Sequence, residues 1–167
     1  MKRVTAALLV FILMFTAAGC VKKSNTYLFQ NKDKSWSIDM PNEFVKDREE
    51  LDEQQKAVTT HFKTENETFL VISELRDEKL EVNEELLKAE MESDNYLKVE
   101  RYNTVDIKDI GKAYGALVTD EVTGMSMIYY RMKHKDNVIS FIIYRKGAFT
   151  VEQEAKAIAM LGTFKGK

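Results

Sequence analysis

The sequence contains one cysteine, Cys20, and its neighbours give that thiol a specific chemistry. Cys20 directly follows three small residues at positions 17–19 (Ala-Ala-Gly). A cysteine thiolate is a nucleophile that can accept a covalent group, and small side chains before it let the backbone lie flat in the groove of a peptidase. Lys2 and Arg3 precede an apolar run at positions 4–15. A charged start, an apolar run and small residues before a cleavage point are typical of an export signal.

The segment around Cys20 resembles the lipobox of bacterial lipoproteins. In those proteins a diacylglyceryl group is added to the cysteine thiol before a signal peptidase cuts in front of it. The resemblance implies a lipoprotein signal peptide at residues 1–19 and cleavage between Gly19 and Cys20. It also implies a diacylglycerol anchor on Cys20, with or without a further N-acyl chain. Ala17 stands where the family more often has Leu.

Two other interpretations of this leader stay open. Residues 4–21 contain no charge and come close to the length of a short transmembrane helix, so an uncleaved membrane anchor is one alternative. A plain secretory signal, with Cys20 incidental to it, is the other. The position of the sole thiol directly after Ala-Ala-Gly favours the lipoprotein.

A lipid on Cys20 would place the protein on the extracytoplasmic face of the cell membrane. Each buried methylene contributes about 0.8 kcal/mol, and stable anchoring needs about two chains, which diacylglycerol supplies. Residues 20–26 are then a short lipidated tether, and residues 27–167 are predicted to form a single domain. Val21 is not the Asp that usually retains such proteins at the inner membrane, so the outer membrane is an open alternative in a cell with two membranes.

The remaining composition argues against several classes of function. The formal net charge is −2, whereas nucleic-acid binders carry a basic stripe. The sequence has no glycine-rich phosphate loop and no G-x-S-x-G nucleophile motif. With Cys20 acylated, no thiol remains for a disulfide, a metal site or a cysteine nucleophile. We therefore predict a protein that is not an enzyme, holds no cofactor and does not bind nucleic acid. The sequence identifies no metal ligands, and the question of whether a metal binds stays open.

The side chains that could bind a metal are scattered. His61 and His134 are the only histidines, and neither has metal-ligand spacing. His61 alternates with polar residues of a predicted strand and His134 stands beside a charged turn, so both are predicted to be solvated. The densest acidic group, residues 49–53 (EELDE), lacks a calcium-loop pattern and is interpreted as surface charge.

Tyrosine and methionine residues of the C-terminal half form the remaining candidate for a binding face. Tyr130, Tyr144 and Met132 are the residues that we single out, with Ile128 as the alternative neighbour of Tyr130. Tyrosine and methionine suit adaptable binding surfaces. The same residues also fill the core between paired central strands, and that interpretation stays open beside the first.

The pattern of apolar residues predicts an α+β fold that is built mainly from hairpins. Period-two alternation or continuous apolar runs predict strands at residues 27–29, 36–40, 58–62, 69–72, 99–107, 112–122, 125–132 and 138–144. The apolar run 138–144 is predicted to be a central strand. Asn83 and Thr150 are predicted helix N-caps. The predicted apolar stripe of the first helix consists of Leu86, Leu87 and Met91, and that of the last helix consists of Val151, Ala155, Ile158 and Leu161. Residues 42–55 are predicted to be a surface connection with at most a helical turn. No βαβ rhythm occurs, so we expect a mainly antiparallel sheet flanked by helices.

Three segments resemble the PsbP-like family: residues 36–44 (WSIDMPNEF), residues 105–116, and residues 161–165 (LGTFK). The resemblance implies an α-β-α sandwich around an antiparallel sheet. Members of this family include a photosystem extrinsic subunit, a small Ran-binding import factor and many bacterial lipoproteins of unassigned function. The family has no catalytic residue set to carry over, so the resemblance implies binding rather than catalysis.

The leading functional prediction is a membrane-anchored, non-enzymatic binding or accessory module for an envelope protein complex. It follows from the predicted lipid anchor, the absence of a catalytic motif in the sequence and the resemblance to PsbP-like proteins. The alternative is a small-ligand-binding lipoprotein, either a sensor or a carrier.

We predict that the Cys20→Ala variant accumulates as an unprocessed or mislocalised precursor, because the thiol that accepts the lipid is gone. Membrane fractionation followed by mass spectrometry of the intact protein measures this. A Cys20→Ala variant that is fully cleaved and retained normally in the membrane would contradict the lipid anchor.

Overall fold

A computed structural model describes residues 25–167, so the predicted signal peptide, the lipidation site Cys20 and most of the predicted tether lie outside the described residues. The strands are β1 Thr26–Gln30, β2 Trp36–Pro41, β3 Val45–Asp52, β4 Ala57–Lys63, β5 Phe69–Arg76, β6 Leu97–Ile107, β7 Gly111–Asp120, β8 Met125–His134, β9 Asn137–Lys146 and β10 Lys165–Gly166. The helices are α1 Glu84–Ser93 and α2 Val151–Leu161. None of the described helices has the length and apolar character needed to cross a membrane.

The strands form two antiparallel sheets. The large sheet has seven strands in the order β3-β4-β5-β9-β8-β7-β6, and the small sheet has three in the order β1-β2-β10. Strand β9 lies in the middle of the large sheet, which confirms the prediction from its apolar run. The sheets and helices together confirm the α+β fold class.

The main core lies between the large sheet, the small sheet and α2. Side chains from the small sheet, such as Ile38 and Met40, pack there against Leu70 and Phe141 of the large sheet. All four are completely shielded from solvent. The small sheet and α2 therefore form one outer layer of the sandwich.

Aromatic rings pack at one end of this core, both within the small sheet and between the two sheets. The rings of Trp36 and Phe164 stack with their centroids 4.8 Å apart. Phe29 meets the ring of Phe62 edge to face at 5.0 Å. Offset and edge-to-face pairs of this kind add about 0.5–1.5 kcal/mol beyond the burial of their area. Phe164 thereby fixes the chain just before β10, which pairs with β2.

Helix α1 begins and packs as its sequence predicts, with one exception. The side chain of Asn83 accepts a hydrogen bond from the backbone N–H of Leu86 at 2.9 Å, which confirms the predicted N-cap. Leu87 and Met91 are buried against β7 and β8 in a second, smaller core. Leu86 was expected in the same stripe but is exposed, because it lies one residue off the spacing of Leu87 and Met91.

Helix α2 has the predicted capping box but buries a different face from the predicted one. The Thr150 side chain accepts from the backbone N–H of Gln153, and the Gln153 side chain accepts from the backbone N–H of Thr150. The expected stripe was Val151, Ala155, Ile158 and Leu161. The buried residues are Glu154, Ala157, Met160 and Leu161. Glu154 can lie on the buried face because Arg101 forms an ion pair with it. A prediction from the spacing of apolar residues does not include such an ion pair.

The prediction that residues 42–55 form a surface connection is wrong for most of that segment. Residues Val45–Asp52 form β3, an edge strand that pairs with β4. Every residue of β3 is exposed. A strand with neither face covered has no reason to alternate apolar and polar residues, so the period-two signal is missing. Its charges also protect the sheet edge against pairing with other chains.

We predict that Met160→Ala lowers the free energy of unfolding by about 2–5 kcal/mol, because it leaves a cavity in the main core. Val151→Ala on the same helix should change it by less than about 0.5 kcal/mol, since Val151 is 82% exposed. Urea unfolding of both variants measures the difference. Equal destabilisation would contradict the orientation of α2.

Candidate functional site

The structure does not bring the predicted binding-face residues Tyr130, Met132 and Tyr144 onto one surface. Tyr130 is 3% exposed and Met132 is fully buried in the main core, as is most of Ile128. In the β8–β9 ladder Tyr130 lies opposite Phe141, so Tyr144, three residues further along, points to the other face of the sheet. Only Tyr144 of the three is partly accessible.

Tyr130 can be almost fully buried because Gly115 leaves space for its ring and Asn103 forms a hydrogen bond with its hydroxyl. Gly115 lies opposite Tyr130 in the ladder, and a Cβ atom at that position would overlap the tyrosine ring. The Tyr130 hydroxyl accepts a hydrogen bond from Asn103 Nδ2 at 3.0 Å. Burial raises the pKa of Tyr130. This tyrosine is therefore a core residue with its polar atom paired.

Tyr144 belongs to a part of the large sheet that we call the open face. The open face consists of half-buried side chains from β4, β5 and β9, namely Thr59, His61, Phe69, Val71, Ser73 and Tyr144. Within residues 25–167, α1 lies over β6 and β7 and α2 lies over β2, which leaves this area without a helix above it. The rings of Phe69 and Tyr144 stack at one end of it, 5.1 Å apart with 15° between their planes.

Charged residues of both signs flank the open face along β3. Arg48 Nε donates to Glu50 Oε1 at 2.6 Å, and this hydrogen bond lowers the pKa of the Glu50 carboxyl. Lys63 and Asp47 form a second ion pair at 2.5 Å. His61 Nε2 lies 3.7 Å from Glu50 Oε1. The flank therefore carries two positive and two negative groups beside an aromatic pair.

Helix α1 marks the other boundary of the open face. Arg131 of β8 forms a bidentate ion pair with Glu90 of α1, in which Arg131 Nη2 donates to Glu90 Oε1 at 2.9 Å. The Arg131 guanidinium also lies over the ring of Tyr129, 5.3 Å from its centroid. These contacts hold α1 over one half of the sheet face and leave the other half uncovered.

A second candidate site, the Glu74 cleft, lies on the opposite side of the sheet at the end of β5. Its volume is about 570 Å³. The turn between β1 and β2 forms one wall, and β3, β4 and β5 form the floor and the other wall. Phe29, Trp36, Val58 and Ile72 line its apolar part, and Glu74 and Arg76 lie at its polar end.

Three neutral side chains hold the Glu74 carboxylate. Trp36 Nε1 donates to Glu74 Oε2 at 2.9 Å, and Asn31 Nδ2 donates to the same oxygen at 3.1 Å. Asn137 Nδ2 donates to Glu74 Oε1 at 2.5 Å. Within the described part of the chain no cationic group forms an ion pair with Glu74. The cleft thus contains a half-buried negative charge that its own residues hydrogen-bond but do not neutralise.

A larger cleft, of about 970 Å³, lies between α2 and the far ends of β2 and β9. Phe44, Phe149 and Met160 contribute apolar surface to it, and Arg145 contributes a cation. Asn25, the first described residue, lies at its edge. This position places the start of the described chain at the opposite end of the small sheet from the Glu74 cleft.

The histidines differ from the prediction that both are solvated. His134 is 8% exposed, because Gly166 lies against its ring. Its Nε2 atom is buried and has no hydrogen-bond partner among residues 25–167. His61 is half-buried on the open face. Among residues 25–167 no group of three or more His, Cys, Asp or Glu side chains could hold a metal ion.

Sequence analysis missed Glu74 and the open face. Glu74 occupies the same side of β5 as the buried residues Leu70 and Ile72, so a charge at a core-facing position was a signal that the period-two pattern contained. The open face had no comparable signal. Which half of a sheet a ten-residue helix covers depends on the loops and on contacts such as Arg131–Glu90.

We predict that Glu74→Ala lowers the free energy of unfolding by about 1–3 kcal/mol, because it leaves the buried Trp36 N–H without an acceptor. The same substitution should shift the fluorescence emission maximum of Trp36, because the indole loses its hydrogen-bond acceptor. The control is Asp136→Ala at the exposed rim of the same cleft, which should change the stability by less than about 0.5 kcal/mol. Urea unfolding followed by tryptophan fluorescence measures both, and a Glu74→Ala variant as stable as the control would contradict the network.

Comparisons with known proteins support the fold. No family model matches the sequence, and no curated protein sequence matches it. Among solved structures, the chain is similar to the solution structure of cyanobacterial PsbP (CyanoP) from Synechocystis sp. PCC 6803. The TM-score is 0.63 at 11% sequence identity, over 90% of this chain and 97% of that one. The similarity shows that this chain has a PsbP-like fold.

Proposed function

We propose that this protein is a non-enzymatic accessory domain that is anchored to the membrane through a lipid on Cys20 and docks on a protein of the cell envelope. The PsbP-like fold fits an accessory or binding module. In this proposal the lipid is the only attached group, and neither a metal, a cofactor nor a nucleic acid takes part.

The open face is the observation that carries the docking part of the proposal. Folded domains usually cover the apolar side of a sheet with a helix or a second sheet. Here the stacked rings of Phe69 and Tyr144 have neither above them within residues 25–167. A partner that lays an apolar side chain over these rings would supply the missing cover.

The charges around the open face indicate the kind of partner. Asp47, Arg48, Glu50 and Lys63 balance one another. A nucleic acid or an anionic bilayer surface would favour a positive patch. A balanced flank beside an aromatic pair suits a protein surface with mixed charges, as at ordinary protein interfaces.

The proposed anchor would keep the domain close to the bilayer. The segment from Cys20 to Asn25 can span at most about 18 Å even when fully extended. A partner would therefore have to be a membrane protein or a protein held at the membrane surface. The extracytoplasmic side follows from the export signal that the sequence predicts.

We predict that a photo-crosslinking amino acid at Tyr144 or Ser73 captures one and the same abundant envelope protein in cells. The same probe at Glu152 of α2 or Asp106 of β6, both exposed away from the open face, serves as the control and should not capture it. Mass spectrometry identifies the adducts. Scattered, low-yield adducts at all four positions would contradict docking through the open face.

A substitution on the open face tests the same proposal by measuring the loss of the crosslinked adduct. Phe69→Asp should reduce the adduct at Ser73 by about tenfold or more, because it removes one of the two stacked rings and buries a charge in the interface. Val122→Asp is the matched control, since Val122 is a 70% exposed apolar residue elsewhere. Thermal unfolding of both variants confirms that they are folded. Equal adduct yields in the two variants would count against the open face.

A further inference from the structure

Glu74 and Arg76 lie on the same side of β5 at the polar end of the Glu74 cleft. They are two residues apart in a strand, so their side chains point to the same face and their Cα atoms are roughly 7 Å apart. A carboxylate and a guanidinium in this arrangement would ordinarily pair. Within residues 25–167 neither of them forms an ion pair.

The hydrogen bonds of Glu74 explain why it stays apart from Arg76. Trp36, Asn31 and Asn137 together hold both carboxylate oxygens. These neutral donors replace lost water and fix the carboxylate in place, but they leave its charge uncompensated. A ligand ammonium group would supply that compensation, and charge-assisted hydrogen bonds are stronger than neutral ones.

The cleft also contains positively charged side chains that have no carboxylate partner among the described residues. Arg76, Lys56 and Lys32 line the cleft and form no ion pair in the described part of the chain. The carboxylates of the rim are largely occupied elsewhere. Asp33 accepts from the backbone N–H of Ser35, which lowers its pKa, and Glu49 pairs with Lys46 at 2.7 Å.

The floor between these charges is apolar. Phe29, Val58 and Ile72 line it, together with one face of Trp36. The volume of about 570 Å³ falls within the range of about 300–1,000 Å³ that is typical of small-molecule sites. The cleft therefore combines a fixed negative group, a nearby positive group and an apolar surface.

We infer that the Glu74 cleft binds a small zwitterion with an apolar side chain, either a free amino acid or a short peptide. The ammonium group pairs with Glu74, the carboxylate pairs with Arg76, and the side chain lies against the apolar floor. A pure anion such as a fatty acid or a nucleotide is disfavoured, because Glu74 would repel it. This site lies on the other side of the sheet from the open face and does not depend on the docking proposal.

Trp36 provides the test, because it is the only tryptophan of the sequence and its indole donates to Glu74. The full chain without its leader is titrated with leucine and with leucyl-leucine while the Trp36 emission is followed. A saturable change with either probe supports the site, and the tighter of the two identifies the source as amino acid or peptide. No saturable change with either probe up to about 10 mM, a concentration that detects even weak sites, would overturn it.

Blocked forms of the same probes test the two charges separately. N-acetylation removes the ammonium charge and amidation removes the carboxylate, so each blocked form should bind about tenfold more weakly. The Glu74→Gln variant should bind the free and the acetylated probe equally well. The Arg76→Gln variant should bind the free and the amidated probe equally well. Arg145→Gln, which removes a cation from the other cleft, should keep both.

The two variants carry different risks for folding. Glu74→Gln disturbs a network of three donors, whereas Arg76 is exposed and its side chain donates no hydrogen bond in the described chain. Arg76→Gln therefore tests the site even when Glu74→Gln is destabilised in urea. Equal binding of free and blocked probes by the unmodified protein would refute the zwitterion site. Photo-crosslinking through the open face would be unaffected by that result.

Discussion

The contact between Trp36 and Phe164 is the constraint on which much of the structure depends. Trp36 belongs to the small sheet near the start of the described chain, and Phe164 lies directly before the last strand. Their stacked rings hold β2, the end of α2 and the start of β10 together. The same tryptophan donates its indole N–H to Glu74. One side chain therefore holds the outer layer together through its ring and joins it to the large sheet through its nitrogen.

Much of the fold could be predicted from the sequence. Strands with one covered face alternate apolar and polar residues, and helices have recognisable capping residues. The hairpins, the central strand β9 and the N-caps Asn83 and Thr150 follow from such local signals. The features that were missed depend on distant partners. β3 is a strand only because β4 pairs with it, and Glu154 faces the interior only because Arg101 reaches it from β6. The predicted binding face was wrong for a related reason. Tyr130 and Met132 have suitable chemistry, but the β8–β9 register places them in the core and Tyr144 outside it.

The two candidate surfaces share a strand without sharing residues. In β5, Leu70, Ile72, Glu74 and Arg76 face the cleft side, whereas Phe69, Val71 and Ser73 face the open side. A protein on the open face and a small molecule in the cleft would thus contact alternate residues of the same strand. A strand that is hydrogen-bonded on both sides, as β5 is to β4 and β9, moves little on its own. Simultaneous occupancy is therefore sterically compatible with the fold.

The pairing of β10 with β2 also determines when the protein can finish folding. Lys165 and Gly166 lie opposite Ser37 and Trp36, so the third strand of the small sheet comes from a segment about 130 residues further along the chain. Contacts between residues so far apart in sequence form late, because a long loop must close first. A ribosome or an export channel releases the N-terminal part of a chain before the C-terminal part. During that interval β2 has one edge unpaired and Trp36 lacks the ring that stacks on it, so the native state becomes available only after Phe164 and β10 have emerged.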